Sequence, residues 1–561
     1  MVNNIMKAII KTLLGGVVRK TTPDFGSDIL VEIPDNKKYG DYTTNVAFAL
    51  SKALGEAPQK IAEDLAEKLN NEGNENFDKI EAVNGFINFF LSDNYLRTEL
   101  NKILEKSVRG GPVYGWENET STKIHLDFVS ANPTGPLTMG NGRGGFYGDV
   151  LANVLESRGF SVTREYYVND RGEQILNLGR SIKMAQGSSL SIPGIIPPPS
   201  ADSSIPGIDK LYKGEYINEI AKEINTGLSE SEAGQKAAEL ILEEYIKPAV
   251  KKAGIKFDNW FSEKSLYRGG NYEKIMKELM RKDLVYELDG ATWMKTTKFG
   301  DSEDRVLIKK NGEETYFMSD ILYHADKIKI RKFDKVIDIW GADHHGYAPR
   351  LKAALAALDI PENKLEIIIS QLVRLVKNGK EVKISKRAGN FITLEELIDE
   401  VGIDAARFFF LMYSPNTHMD FDLALAKERS QKNPVYYVQY AHARIASILR
   451  KSQILNSKFE TNSKLKTQNS KLLKEKEELN LIRKLIELPE LLEEIAQNYE
   501  VHRLPRYVLE LAKEFHNFYE KQQVITEDDN LTAARLSLVS ATKIILSNVL
   551  NLMGIKAPDK M

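Results

Sequence analysis

Two short stretches hold the residues whose chemistry is most definite. The first is Thr138-Met139-Gly140-Asn141, which follows the apolar run Ile124, Leu126, Phe128, Val129 and a turn containing Asn132, Pro133, Gly135 and Pro136. The apolar run fits a buried strand. Gly140, Gly142, Gly144 and Gly145 allow a backbone to approach a ligand before Phe146, Val150 and Val154 resume at helical spacing. Strand, glycine-rich turn and helix in that order aim free N–H groups and the positive end of a helix dipole at one place, which suits a phosphate. The second stretch is Lys383-Ile384-Ser385-Lys386-Arg387, three cations and a hydroxyl ahead of Gly389. Such a cluster can neutralise phosphate charge as it moves during a reaction. Taken alone, the first is a common pattern and the second a solvated basic turn. Together they specify a nucleotide held at one end by backbone N–H groups and at the other by lysines.

These groups need a sheet to position them. Val162–Val168 reads as a second strand, with further strands near Val306–Lys309, Thr315–Phe317 and Val336–Trp340, the last running into Asp343-His344-His345. The β-α-β order predicts an α/β catalytic domain, a doubly wound parallel (Rossmann-type) sheet with ligands at the carboxyl ends of its strands. The predicted division is an α+β domain over 1–110, the catalytic domain over 111–415 with a proline-rich insertion near 186–209, and a helical bundle over 416–561. Within the first domain the pattern predicts a strand-like run over Asp28–Ile33 and a helix over Ala47–Leu69 broken near Pro58. It also predicts a hairpin at Asn84-Gly85. Lys37–Tyr42 reads either as an RNA-contacting stretch or as a solvated loop with a helix start at Asp41 or Thr43. Residues 451–480 read as an exposed connection or helix.

Composition excludes several classes. The 561 residues carry a net charge of -2, so no overall basicity announces a nucleic acid, and without cysteine there are no disulfides or thiolate zinc sites. Adjacent His344 and His345 do not face one way and have no spaced third ligand, so no protein-bound metal is expected. The amphipathic N-terminal residues are unlike a signal peptide, no stretch reads as a membrane span, and a cytoplasmic protein is expected.

The two signatures resemble the His-x-Gly-His and Lys-Met-Ser-Lys-Ser motifs of class I aminoacyl-tRNA synthetases. Asp127–Pro136, Arg164–Asp170, Trp340–Tyr347, Lys386–Asn390, Asn433–Ile445 and the Gly554–Pro558 ending resemble the bacterial arginyl-tRNA synthetase family in particular. The resemblance implies ATP-dependent formation of arginyl-adenylate and transfer to the 3'-terminal ribose of tRNA(Arg), with Mg2+ accompanying the nucleotide. It implies that Thr138, Asn141, Lys383 and Lys386 stabilise phosphate charge. Pro133, Gly135, Gly140, Gly142, Asp343 and Ser385 would lie at ATP, and Asp127, Asn132, Tyr316, Asp320 and His344 at L-arginine. The helical bundle would bind the anticodon arm and the N-terminal domain the outer corner of the tRNA. A monomer is expected, with arginine activation that needs tRNA.

The first motif departs from the family pattern, since Thr138 and Asn141 stand where the family has histidines. Thr offers a hydroxyl donor and Asn an amide donor, so an active enzyme is expected. The alternative is a catalytically weakened tRNA-binding paralogue, because each lost transition-state donor costs about 10^2 to 10^3 in rate. A class I synthetase for another amino acid is a third reading, disfavoured by Asp127, Tyr316 and Asp320.

Overall fold

The computed structural model describes residues 6–23, 25–26, 28–34, 36–108, 114–117, 119–187, 211–377, 380–381, 392–455 and 469–561. Lys383, Ser385 and Lys386, and nearly all of the proline-rich insertion, lie outside the described residues.

Near the N-terminus, β1 (Tyr42–Thr44), β2 (Phe77–Val83) and β3 (Phe86–Leu91) form an antiparallel sheet in the order β1-β3-β2. Asn84 and Gly85 make the hairpin turn with φ of 53° and 83°, the left-handed values that a two-residue turn between twisted strands requires. The helix Val46–Leu54 ends at Gly55, and Pro58 opens the next helix, Pro58–Glu72, so the predicted break is present. Two local expectations are corrected. Asp28–Ile33 is no strand, since only Glu32 bridges to Thr43. No helix starts at Asp41 or Thr43: Lys37–Tyr39 is a 3-10 turn capped by the Asn36 side chain, and Tyr42–Thr44 is drawn into the sheet beside β3.

The middle of the chain contributes β4 (Lys123–Asp127), β5 (Ser161–Val168) and β6 (Asn259–Ser262). A small antiparallel sheet of β7 (Val285–Leu288), β8 (Ala291–Met294) and β9 (Arg305–Ile308) follows, and then β10 (Lys335–Gly341) and β11 (Leu365–Ser370). Strands β11-β10-β4-β5-β6 form one parallel sheet in that order. The chain leaves β4 toward β5 and later returns to β10 on its other side. The carboxyl ends of β4 and β10 therefore flank a topological switch point, where such sheets bind ligands. A further small sheet holds β12 (Val373–Lys377), β13 (Lys380–Glu381) and β14 (Met419–Asp422).

The strand expected at Thr315–Phe317 is instead a helix start. Thr315 Oγ1 accepts the Met318 N–H at 3.3 Å and caps Tyr316–Ala325, which turns Phe317, Met318, Ile321 and Leu322 inward.

Helices Pro434–Leu455, Lys476–Ile486, Leu488–Asn498, Arg503–Lys521 and Asp529–Leu552 pack as a C-terminal bundle. Within 469–480, Lys471, Leu472, Lys474, Glu475 and Lys476 are exposed and the helix Lys476–Ile486 begins, as expected, but Ser470, Leu473 and Glu478 are buried, and Arg535 Nε donates to Glu478 Oε1 at 2.7 Å. The expectation that no stretch could span a membrane is corrected too. Asp529–Leu552 qualifies by length and composition, but 67% of its apolar window is buried, as befits the central helix of a bundle.

Candidate active site

Strand β4 runs out at Asp127, and Val129 and Ser130 then take φ of 66° and 36°. Positive φ in a β-branched residue is a strained state that its surroundings must hold. Ser130 does much of the holding: its hydroxyl donates to Asp127 Oδ1 at 2.5 Å and accepts the Tyr167 N–H at 2.9 Å. Beyond the turn, Thr138 caps the helix Met139–Ser157, and its N–H and hydroxyl both donate to Asn141 Oδ1 at 2.9 Å. The N–H contact fixes which end of the amide is oxygen. Asn141 Nδ2 therefore has no partner among the described residues and stands in the first helical turn, where the Asn141 N–H itself donates to Thr138 O at 3.0 Å.

The glycines divide into two kinds. Gly140 is exposed, and an added Cβ would meet nothing nearer than Thr138 Oγ1 at 3.6 Å. Gly142, Gly145 and Gly148 face inward, where a Cβ would lie 2.7 Å from Leu394 Cδ1, 2.7 Å from Ile255 Cδ1 and 2.4 Å from Phe128 Cγ. They let the helix approach its neighbours closely. Gly135 is likewise buried against the Tyr216 hydroxyl, 3.0 Å from the Cβ position, and Pro133 is buried too.

Both flanks of the second signature are tied to this helix. Met139 N donates to Ile392 O at 3.0 Å and Leu394 N to Leu137 O at 2.9 Å. On the other flank the buried Arg143 donates from Nη1 to Gln371 O at 2.9 Å, while its Nη2 reaches Ser414 O at 2.8 Å and Thr417 O at 2.6 Å, further along the chain.

Under the sheet's carboxyl edge lies a buried charge network. Lys327, in a π turn at the end of the helix Tyr316–Ala325, donates to Asp338 Oδ1 at 3.0 Å and Asp127 Oδ2 at 3.3 Å. His324 Nε2 meets Asp338 Oδ2 at 2.6 Å. Glu165 contacts His125 at 2.8 Å, the Tyr323 hydroxyl at 2.7 Å and both Arg331 nitrogens. Burial alone would raise all three acids. It wins at Asp127, against the opposing charge of Lys327. Lys327 and His324 hold Asp338 below the usual range, and bonds from His125 and Arg331 do the same for Glu165. Burial and the charge of Lys327 lower His125 to about 4, so it is neutral. Asp127 Oδ1 and Oδ2 thus have one internal partner each, the Ser130 hydroxyl and Lys327.

Two other acids differ. Glu263, the first residue after β6, is 3% exposed; it accepts the Ser319 hydroxyl at 2.7 Å and, with the Asn169 amide turned to face its acceptors, that nitrogen at 2.8 Å. Burial pushes its carboxyl up to about 7, with the nearby Asp320 adding to the rise. Asp320 is half-buried and accepts the Tyr347 hydroxyl, and burial raises it as well. Around this pair stand Tyr316, whose hydroxyl is raised by burial against a lowering by the neighbouring Asn169, Asn132, whose side chain approaches Asn169 to 3.3 Å, and the exposed His344, whose field reaches Asp320. The structure brings together Asn132, Tyr316, Asp320 and His344 and adds Glu263 and Tyr347, which the motifs do not reveal. The one available signal is an acid directly after the run Asn259-Trp260-Phe261-Ser262. Asp343 is exposed, 3.7 Å from His344 Nε2.

Three family models match the chain: "Arginyl tRNA synthetase N terminal domain" over residues 3–91, "tRNA synthetases class I (R), catalytic domain" over 100–410 and "DALR anticodon binding domain" over 438–561. The chain belongs to the arginyl-tRNA synthetase family. The arginine–tRNA ligase of Bacillus pumilus is 42% identical over 99% of both chains. That of Caldanaerobacter subterraneus is 43% identical over 95% of this chain and 94% of its own. The Thermus thermophilus arginyl-tRNA synthetase structure has a TM-score of 0.77 over 99% of this chain and all of its own; at 20% identity this is a likeness of fold. Within the DALR match of this arginyl-tRNA synthetase family member, a cavity of about 750 Å³ is lined by Tyr440, Arg444, Arg450, Lys451, Tyr519 and Met561. The Arg444 guanidinium lies 4.7 Å from the Tyr519 ring centroid, and Tyr436 stacks on Tyr440. Flat rings set among cations suit unstacked bases and their phosphates.

Proposed function

We propose that the protein ligates L-arginine to tRNA(Arg). An arginine carboxylate oxygen attacks the α-phosphorus of ATP, the bond from that phosphorus to the bridging oxygen breaks, and pyrophosphate leaves. A hydroxyl of the tRNA 3'-terminal ribose then attacks the arginyl carbonyl and AMP departs. The observation that carries this reading is the pair Glu263 and Asp320, two poorly solvated carboxylates with neutral internal donors, beside Tyr316 on the sheet edge that also bears the Asn141 amide. A guanidinium presents a planar fork of donors that such acids match. Lysine would leave acceptors unpaired, a loss of roughly 10^4-fold.

In this scheme Asn132 and His344 meet the α-amino or carboxylate end of the substrate. Asn141 Nδ2 donates to phosphate with Thr138 holding the amide in place, and Gly140 leaves room for adenosine. Lys383, Ser385 and Lys386 supply the opposing donors, and Asp343 lies toward the nucleotide. Pro133, Gly135 and Gly142 shape the turn, and Asp127 braces it through Ser130. Mg2+ would come with the ATP phosphates, held mostly by them and by water. We further infer a cytoplasmic monomer, with 1–110 gripping the outer corner of the tRNA, 111–415 carrying the chemistry and 416–561 holding the anticodon arm. Arginine-dependent pyrophosphate exchange, with and without tRNA and with lysine and citrulline as controls, tests it. Exchange with arginine alone among the three is expected; no exchange, with tRNA binding retained, overturns it in favour of the weakened paralogue.

A further inference from the structure

Arg171, in the turn after β5, has no place in the scheme above. Its guanidinium lies 3.8 Å from the Tyr267 ring centroid, its Nη2 donates to Glu314 Oε2 at 2.9 Å, and its Nη1 is buried without a partner. It thereby joins the turn after β5, the turn after β6 and the segment that leads into the helix Tyr316–Ala325. The ring beneath it connects back to Glu263: the Tyr267 hydroxyl meets Ser319 Oγ at 2.8 Å, and Ser319 donates to Glu263 Oε1 at 2.7 Å. A resident cation beside a pocket meant for a guanidinium is at first sight misplaced, since like charges repel.

The acids explain it. Glu263 and Asp320 share one poorly solvated cluster, and in that setting one carboxyl tends to keep a proton. A protonated Glu263 would offer an O–H where the substrate needs an acceptor. We propose that Arg171 is a positioning residue for substrate recognition: stacked on Tyr267 and tethered by Glu314, it keeps Glu263 ionised and ready to accept the guanidinium of arginine. The tether holds the cation through Nη2, and its field reaches Glu263 without a direct bond to that carboxyl. The inference rests on the arginine site proposed above.

The groups that face Glu263 are few. The turn after β5 supplies Asn169 and Arg171, and β5 itself Tyr167; the turn of Glu263 supplies Tyr267; the neighbouring helix supplies Tyr316, Ser319 and Asp320. Asp170 is turned to Ser262 Oγ at 2.5 Å and the Lys264 N–H at 3.2 Å. Among the largest influences on the Glu263 carboxyl, Arg171 is the cation that lowers it, and without it that carboxyl would titrate at higher pH.

The test is arginine binding by calorimetry, and kcat/KM for arginine in pyrophosphate exchange, from about pH 6 to about pH 9, a span that brackets a carboxyl titrating near neutrality. Arg171→Gln should move the acidic limb up by roughly one unit, the size of a single charge effect, which is about fivefold in arginine KM at pH 7 and approaches about tenfold at pH 6. The loss should vanish on the alkaline side, and KM for ATP should stay constant. Arg171→Lys, which keeps the charge, should restore the limb. A wild-type limb in Arg171→Gln, or a loss equal at every pH, overturns the inference alone. Wild-type protein that binds no arginine at any pH overturns the site assignment and the inference with it.

Discussion

Replacing Asn141 by Asp separates what this residue does for the helix from what it does for phosphate. The two Thr138 donors reach Asn141 Oδ1 at 2.9 Å, and an aspartate keeps that acceptor. It also adds negative charge in the first helical turn, worth about 0.3 to 1 kcal/mol of stability. Asn141→Ala instead loses the cap, at about 1 kcal/mol. Catalysis should rank the variants in the opposite order. Alanine removes the free Nδ2 donor, a loss of about 3 to 4 kcal/mol or 10^2 to 10^3 in rate. Aspartate removes it too and sets an anion against the triphosphate, which at about 4 Å and an effective dielectric constant near 20 adds up to roughly 4 kcal/mol. Thermal unfolding should therefore rank Asp at or above wild type and both above Ala. Arginine-dependent exchange should rank wild type above Ala and Ala above Asp. An Asn141→Asp protein within threefold of wild-type activity would show that the amide donor plays no part, and a loss of activity that followed stability would assign Asn141 to capping alone.

Other outcomes follow from the same geometry. Gly148→Ala would place a Cβ 2.4 Å from Phe128 Cγ and should lower stability in urea by about 1 to 3 kcal/mol, whereas Gly140→Ala should leave it within about 0.5 kcal/mol. Burial raises the Glu490 carboxyl to about 7, against bonds from the Lys7 N–H and the Tyr42 hydroxyl. A raised folded-state value means that the stabilisation is complete below the unfolded value of 4.5 and fades as pH rises through about 7. Glu490→Gln should thus melt with wild type at low pH and higher than wild type above pH 7, by an effect of roughly 1 to 3 kcal/mol; parallel melting curves at all pH values would refute this. Tyr440→Ala, in the 750 Å³ cavity, should weaken tRNA binding by about 1 to 3 kcal/mol, measured by filter binding, with the KM for arginine unchanged.

Local patterns with their own chemistry are legible in the chain. Asn84-Gly85 announces its hairpin because only such residues take two successive positive φ values. The apolar run before Asp127 and the spacing of Phe146, Val150 and Val154 announce β4 and its helix. Thr315–Phe317 misleads because three residues cannot separate a strand from the first turn of a capped helix. Gly142, Gly145 and Gly148 recur every three residues, a spacing that marks one helix face, yet glycines beside a nucleotide motif read equally well as room for a ligand. Asp127 is the plainest limit. Its partner Lys327 lies far along the chain, and nothing local to either residue reveals that they meet beneath the sheet.

That pairing bears on the arginine site proposed above. Five acids gather near the carboxyl edge of the parallel sheet, and a count of charges would make them equivalent. Asp127 and Asp338 share Lys327, and Glu165 is taken by His125 and Arg331, so an incoming cation would have to displace a buried partner from any of them. Breaking one such buried pair costs about 3 to 5 kcal/mol, more than a new ion pair would return. Glu263 and Asp320 carry hydroxyl and amide donors instead, and burial makes their charge unfavourable until a cation arrives. Binding arginine there relieves a cost that the fold already bears. On the arginine site proposed above, the internal pairs would be part of the specificity, holding three acids within the fold and leaving two for the substrate.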